Sequence, residues 1–305
     1  MKILVTGGAG FIGSHVTEAL LKRGEIVTVL DDFNDFYDPA LKRRNVAGFP
    51  RVIEGDIRGK LPAEKFDAVI HLAARAGVRP SLAQPRLYSD VNIAGTQNLL
   101  EFARESGIRK FVFASSSSVY GVNQKIPFSE DDPIFKPISP YAATKLAGEA
   151  LCHVYHHLYG LDMVCLRFFT VYGPRQRPDL AIRKFTQAIL AGKPIDVFGD
   201  GSTRRDYTHI DDILQGVLAA LDRKLGYEVI NLGESRTVEL RELISLIEKA
   251  TGKSAKLNRQ PLQPGDVPVT FADIAKARRL LDYNPRVPIE DGIARFVHWY
   301  GHQTP

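Results

Sequence analysis

Apolar positions follow two rhythms along the chain. Through the first half, short β-branched runs at residues 2–6, 26–31, 51–54, 68–72, 110–115 and 163–168 alternate with helical patterns at 13–23, 84–106 and 140–159. Strands that are apolar at nearly every position are covered on both faces, and strands alternating with helices build a parallel sheet. The pattern predicts a doubly wound α/β domain over residues 1–166. From 167 to 305 the pattern is more broken. Helices are expected at 181–191, 211–222, 238–251 and 289–300, and short strands at 196–198 and 228–232. The proline-rich stretches 260–268 and 284–288 read as ordered loops. This part predicts a smaller mixed α/β lobe that binds the substrate, with the chain free to cross back to the first domain and the site between the two.

Composition narrows the function. Of 305 residues, 44% are hydrophobic and 25% charged, which is ordinary globular usage. The net charge is +5, with no block of five or six like charges, so nucleic acid is not an expected partner. Two cysteines, Cys152 and Cys165, are too few for a disulfide framework, and no metal site is expected. No run approaches 18 apolar residues, and Met1-Lys2 leads straight into a strand pattern, so neither a membrane span nor a signal peptide is expected. A cytoplasmic location is the default.

Candidate chemistry begins at residues 3–15, ILVTGGAGFIGSH. Gly7, Gly10 and Gly13 recur every three residues between a strand and a helix. A tight turn there needs glycine, and a Cβ would hold the backbone away from a diphosphate resting on the helix N-terminus. A glycine triplet alone is equally a plain loop. Here a second strand ends in Asp31, where a carboxylate can bind the adenosine ribose hydroxyls and repel a 2′-phosphate. Dinucleotide binding follows, with NAD preferred to NADP, on a Rossmann-type sheet.

Tyr141 and Lys145 are four apart at the start of a helix and share a face. A phenol is a poor base at neutral pH unless a neighbouring cation favours the phenolate. Lys145 can do that and make Tyr141 a proton acceptor. Such a pair also occurs by chance in many helices. The serines at 115–118 change the weighing, because they lie past the carboxyl end of the fifth strand, where open parallel sheets bind ligands. Ser116 is the candidate to hold a substrate hydroxyl beside Tyr141.

TGGAGFIG, Asp31, HLAA at 71–74, SSSSVYG, YAATK and RFFTVYG together resemble the extended short-chain dehydrogenase/reductases that act on nucleotide sugars. The resemblance covers essentially the whole chain and is nearest to NAD-dependent UDP-sugar 4-epimerases, within these to the UDP-glucuronate type. It implies cofactor contacts at Gly7, Gly10, Phe11, Ile12, Gly13 and Asp31. Asp56 and Ile57 would face adenine, and Leu72, Ala73 and Ala74 would line the cofactor with Asn92 near it. Tyr141 and Lys145 would hold the nicotinamide ribose, with Phe168 and Thr170 beside the nicotinamide. The implied reaction is transient oxidation at C4 by NAD, followed by return of the hydride to the other face. Related dehydratases and decarboxylases carry acids where this chain has Ser117 and Ser118, which favours epimerisation.

The resemblance also assigns the sugar nucleotide. Ser117, Ser118 and Thr170 would bind the sugar, and Arg177 a C6 carboxylate beside Thr170 and Ser117. Arg205 would meet the diphosphate, Phe198 the uracil and Asp266 its ribose. Gln263 stands where many relatives have arginine, which puts one diphosphate contact in doubt. UDP-glucose 4-epimerase is the alternative. A net dehydrogenase or reductase and a non-enzymatic NAD sensor are remoter ones. Helices 84–106 and 141–159 would form a homodimer interface, as in relatives. His153, His156 and His157 read as helix-face or interface residues.

Overall fold

The computed structural model describes residues 1–261 and 267–302. In chain order the first part comprises β1 (Lys2–Thr6), α1 (Phe11–Lys22), β2 (Ile26–Asp31), α2 (Pro39–Val46), β3 (Val52–Glu54), β4 (Ala68–His71), α3 (Val78–Ala83), α4 (Pro85–Ser89), α5 (Gly95–Glu105), β5 (Lys110–Ser116) and α6 (Pro140–Tyr159). Then come β6 (Asp162–Phe168), β7 (Thr170–Tyr172), α7 (Ala181–Leu190), β8 (Pro194–Phe198), β9 (Arg204–Arg205), β10 (Tyr207–His209) and α8 (Ile210–Asp222). The chain ends with β11 (Tyr227–Leu232), β12 (Val238–Glu239), α9 (Leu240–Thr251), β13 (Lys256–Gln260), α10 (Ala275–Leu281) and α11 (Ile289–Gly301).

Seven strands form one sheet in the order β11-β6-β5-β4-β1-β2-β3, and every neighbouring pair is parallel. Side chains of successive strand residues point to opposite faces. Ile3, Val5, Val112, Ala114, Val164 and Leu166 accordingly join one core with α1, α8 and α10. Leu4, Phe111, Phe113, Met163 and Cys165 join the other with α5 and α6. Each fully buried aliphatic or aromatic side chain contributes about 1.5–3 kcal/mol, so the two faces fix the strand register. The strand order reverses between β1 and β4, which opens a crevice beyond the carboxyl ends of the strands. A third core unites Ile182, Phe185, Leu243, Ile247, Ile293 and Phe296 from α7, α9 and α11. The seventh sheet strand, β11, comes from late in the chain and pairs with β6.

The stretch expected as one helix over 84–106 is interrupted. Between α4 and α5, Asp90–Ala94 forms a π-helical turn. The Thr96 hydroxyl donates to the Asn92 carbonyl at 2.6 Å, and the wider turn leaves Asn92 buried. The helix expected from 238 begins at Leu240, because Val238–Glu239 pairs instead with Arg204–Arg205.

Candidate active site

The glycine turn is as tight as its sequence demands. Gly7 has φ +70, and a Cβ there would lie 2.6 Å from the Ala73 amide nitrogen. A Cβ on Gly13 would lie 2.1 Å from the Gly7 carbonyl oxygen, so the first turn of α1 rests directly on the loop. Gly10 is the N-cap of α1, and no side chain caps the helix. The helix thus presents backbone N–H groups and the positive end of its dipole to whatever lies above.

An elongated cleft of about 1110 Å3, counted to its open mouth, runs from this turn along the sheet edge. Gly7, Gly10, Phe11, Ile12 and Gly13 form its floor. Asp31, Asp56 and Ile57 lie at one end, and Leu72, Ala73 and Ala74 along one wall. Tyr141, Lys145, Phe168 and Arg177 lie at the other end. Several further lining residues were not singled out in the sequence, among them Asn34, Phe36, Tyr37, Lys42 and Arg75. Asp31 Oδ2 accepts from the Ala9 amide at 3.0 Å and Oδ1 from the Phe33 amide at 3.0 Å. Burial raises its pKa, against the pull of those amides and of Lys42.

The Tyr-Lys end is built on α6. Ser139 accepts from the Ala142 amide at 3.1 Å, Pro140 occupies the first turn, and Gly160 closes the helix in the left-handed region. Gly148 lets α6 approach β5, since a Cβ there would lie 2.3 Å from the Phe113 ring. Lys145 is therefore buried, with Nζ donating to the Ala114 carbonyl at 2.7 Å and lying 5.0 Å from the centre of the Phe113 ring. Burial pulls its pKa down to about 8. Burial pushes the Tyr141 phenol up, while a hydrogen bond with Ser116 and the charge of Arg177 pull it back. The Lys145 ammonium lies 6.0 Å from the centre of the Tyr141 ring. Ser116 is held at the end of β5, where its Oγ lies 3.1 Å from Ser118 Oγ and accepts from the Ser118 amide.

Behind the site, Glu149 accepts two hydrogen bonds from Arg167, at 2.9 and 2.8 Å, and one from Ser115. Both members of this ion pair are buried, so it ties α6 to β5 and β6. His71 is a satisfied core histidine. The Thr96 hydroxyl already donates to Asn92, so it accepts from His71 Nε2–H at 2.9 Å. His71 Nδ1 then accepts from Thr6 Oγ1 at 2.7 Å. Burial lowers its pKa to about 3 and keeps it neutral.

Not every expected residue meets the cleft. Asn92 lies behind it, its amide spent on both backbone groups of Arg75 and on Thr144. Ser117, Ser118, Thr170 and Arg205 line a second cavity of about 650 Å3, with Phe128 and Thr270. Arg177 was expected beside Thr170 and Ser117. It lines the first cleft instead, over the Phe36 ring at 5.4 Å. Asp179 holds it there through bonds of 3.0 and 2.9 Å, and this carboxylate outweighs the cost of burying the charge. Phe198 carries the Arg79 guanidinium at 4.7 Å and lines neither cavity. Asp266 and Gln263 lie outside the described residues. Among the described residues no group of three or more acidic, histidine or cysteine side chains could hold a metal ion. His153 and His157 stack at 6.3 Å on the face of α6.

A glycine-floored cleft at the switch point of a parallel sheet, ending at a half-buried Tyr141 over a buried Lys145, defines a dinucleotide-dependent enzyme that moves hydrogen at a carbinol carbon. The chain belongs to the NAD dependent epimerase/dehydratase family, whose model matches residues 3–233. It is 47% identical to a UDP-glucuronate 4-epimerase of Thermodesulfobacterium geofontis, over 97% of this chain and 95% of that one. The UDP-glucuronic acid 4-epimerase of Bacillus cereus, solved with UDP-glucuronic acid and NAD, superposes with a TM-score of 0.92 at 42% identity, over 99% of both chains. The UDP-glucose 4-epimerase of Thermotoga maritima, solved with UDP-glucose, gives 0.93 at 34% identity, over 99% of both chains. NAD fits the cleft on its own geometry, since Gly10 brings no side chain over the uncapped N-terminus of α1, where a diphosphate would rest. No helix is long and apolar enough to cross a membrane among the described residues.

Proposed function

We propose that the protein is a UDP-glucuronate 4-epimerase that forms UDP-galacturonate and retains its NAD through the cycle. The observation that carries this reading is the placement of Arg177 in the same cleft as Tyr141 and Lys145. A guanidinium beside the reacting end suits a sugar carboxylate, which it can bind through two parallel hydrogen bonds. NAD, when bound, supplies the two-electron oxidation of C4 and its reversal. Tyr141 accepts the proton of the sugar 4-hydroxyl and gives it back, and Ser116 orients that hydroxyl. Lys145 supplies the charge that favours the phenolate. Ser117 and Ser118 offer no carboxylate to abstract a C5 proton, which disfavours dehydration of the keto sugar. Thr170, Ser117 and Arg205, in the second cavity, fit the sugar and diphosphate of the nucleotide.

A second reading has an observation of its own. Arg177 already has a carboxylate partner in Asp179, which lessens its need for one on the substrate and favours the neutral C6 group of UDP-glucose. Arg177→Leu separates the two. On the glucuronate reading it costs ten- to a hundredfold in kcat/KM for UDP-glucuronate, the range for a lost charged hydrogen bond, and under threefold for UDP-glucose. Equal, small effects on both sugars support the UDP-glucose reading.

Residues 1–166 form the cofactor part and 167–305 mainly the sugar-nucleotide part, with β11 returning to the sheet. Val154, Leu158 and Tyr159 stand exposed on α6, an apolar strip suited to a homodimer contact. Buried, unpaired Cys152 and Cys165 suit a reducing cytoplasm.

A further inference from the structure

We infer that Arg75 is the cation that clasps the cofactor diphosphate from the side opposite the glycine turn. The inference rests on the assignment of the cleft to NAD. Arg75 follows the wall residues Leu72–Ala74 past the end of β4 and lines the cleft with Gly10 and Ile12. Its backbone is fixed at both ends, the N–H donating to Asn92 Oδ1 at 2.8 Å and the carbonyl accepting from Asn92 Nδ2 at 3.0 Å. The π-helical turn that buries Asn92 is thus what sets the position of Arg75.

The guanidinium is underused. Of its five donors, one makes a long contact of 3.4 Å with Asn34 Oδ1, and Nε is buried with no partner. Among the described residues Nη2 has no hydrogen bond, so the head keeps donors for a ligand in the cleft, although Nε itself is closed off from it. The carboxylates nearby are occupied. Asp31 accepts from the Ala9 and Phe33 amides, and both oxygens of Asp56 accept from Arg58 Nε at 3.0 Å. The other cleft cations have partners, Lys42 in the Asn34 carbonyl, Lys145 in the Ala114 carbonyl and Arg177 in Asp179.

The ligand side calls for such a group. A dinucleotide diphosphate carries two negative charges, whereas the N-terminus of α1 offers about half a positive charge. A planar fork with free donors supplies the remainder in the geometry phosphate oxygens accept. The contact with Asn34 also spans the cleft, from the loop after β4 to the loop after β2, so the same side chain closes over the diphosphate. An epimerase that returns hydrogen to its own intermediate needs a cofactor that does not leave between the two half-reactions.

The test reads cofactor rather than turnover. Wild type, Arg75→Ala and Arg75→Lys are purified, NAD is extracted and counted per chain, and its release is followed in an NADase trap at two salt concentrations. The inference predicts stoichiometric NAD in the wild type and release ten- to a hundredfold faster in Arg75→Ala, with Arg75→Lys between them. It also predicts a shallower salt dependence in Arg75→Ala. Arg75→Ala releasing NAD at the wild-type rate would overturn the inference. So would NADP binding as tightly as NAD in the wild type and losing that affinity in Arg75→Ala, since Arg75 would then read a 2′-phosphate. A folded wild type that holds no NAD would instead overturn the retained-cofactor reading. If Arg75→Ala does not fold, the comparison rests on Arg75→Lys, for which wild-type release is the overturning result.

Discussion

Gly13 and Gly10 are both one methyl group away from alanine, and the structure predicts opposite reasons for failure. In Gly13→Ala the new Cβ would sit 2.1 Å from the Gly7 carbonyl oxygen, 2.7 Å from Gly8 Cα and 2.8 Å from the Gly7 carbonyl carbon. All three are backbone atoms of the loop, so no rotamer relieves the clash. Ordinary contact needs more than an ångström of movement, by lifting α1 or opening the turn. Overpacking of this kind costs about 1–3 kcal/mol, and the excess over contact here puts the variant at the upper end. For a chain of this size about 2 °C of melting temperature goes with each kcal/mol, giving a loss of about 4–6 °C. In Gly10→Ala the Cβ meets only the Gly7 carbonyl oxygen, at 3.3 Å, and a few tenths of an ångström clear it. The rest of that methyl projects into the cleft over the helix N-terminus. Gly10→Ala is therefore expected to fold, to melt within about 2 °C of cofactor-free wild type, and yet to hold at least about tenfold less NAD. Differential scanning fluorimetry with and without NAD, beside cofactor extraction, separates the two effects. Stoichiometric NAD in Gly10→Ala, or an unchanged melting temperature in Gly13→Ala, would refute this account of the turn.

Three more expectations follow from the same structure. Tyr141→Phe keeps the fold and NAD but removes the proton acceptor, and kcat is expected to fall about 10²- to 10⁴-fold; NMR of the sugar product reads it, and undiminished turnover would exclude Tyr141 as the base. Lys145 titrates near 8 in the folded chain and near 10.5 unfolded. The unfolded chain therefore holds the extra proton between those values, so stability of the cofactor-free protein rises with pH across that window, and the penalty for the buried charge is complete below 8. Urea titrations from pH 7 to 10 should show that slope in wild type and lose it in Lys145→Met. Finally, Glu149→Ala strands the buried Arg167 guanidinium and is expected to cost about 3–5 kcal/mol in chemical denaturation; the double change Glu149→Leu with Arg167→Met costs much less, because both charges leave together.

Much of this was legible in the sequence because it is local. The glycine spacing, the Asp31 strand end and the Tyr141–Lys145 pair each depend on residues within one turn or strand. The runs at 2–6, 26–31 and 163–168 matched their strands because the two cores alternate along them. What depends on distant pairing was not legible. Residues 228–232 look like a strand, but that they complete the sheet beside β6 is a contact across more than sixty residues. Val238–Glu239 reads as helix until Arg204–Arg205 pairs with it. Arg177 reaches the first cleft from a loop with Gly173 at φ +140 and Arg175 at φ 63, conformations that no periodicity encodes. Arg75 was overlooked although it adjoins HLAA, because its exposure to the cleft depends on the π-helical turn that carries Asn92. The helix α2 is not among the predicted helices, although Asp38 as its cap and Pro39 in its first turn are local signals for it.

The central claim is that this chain epimerises a UDP-sugar with the NAD it already carries. Purified protein, with no cofactor added, is incubated separately with UDP-glucuronate and UDP-glucose, and the products are followed by NMR. The account predicts UDP-galacturonate from the first and little change in the second. No reaction with either sugar until NAD is supplied, with an oxidised sugar then accumulating, would contradict it and describe a dehydrogenase.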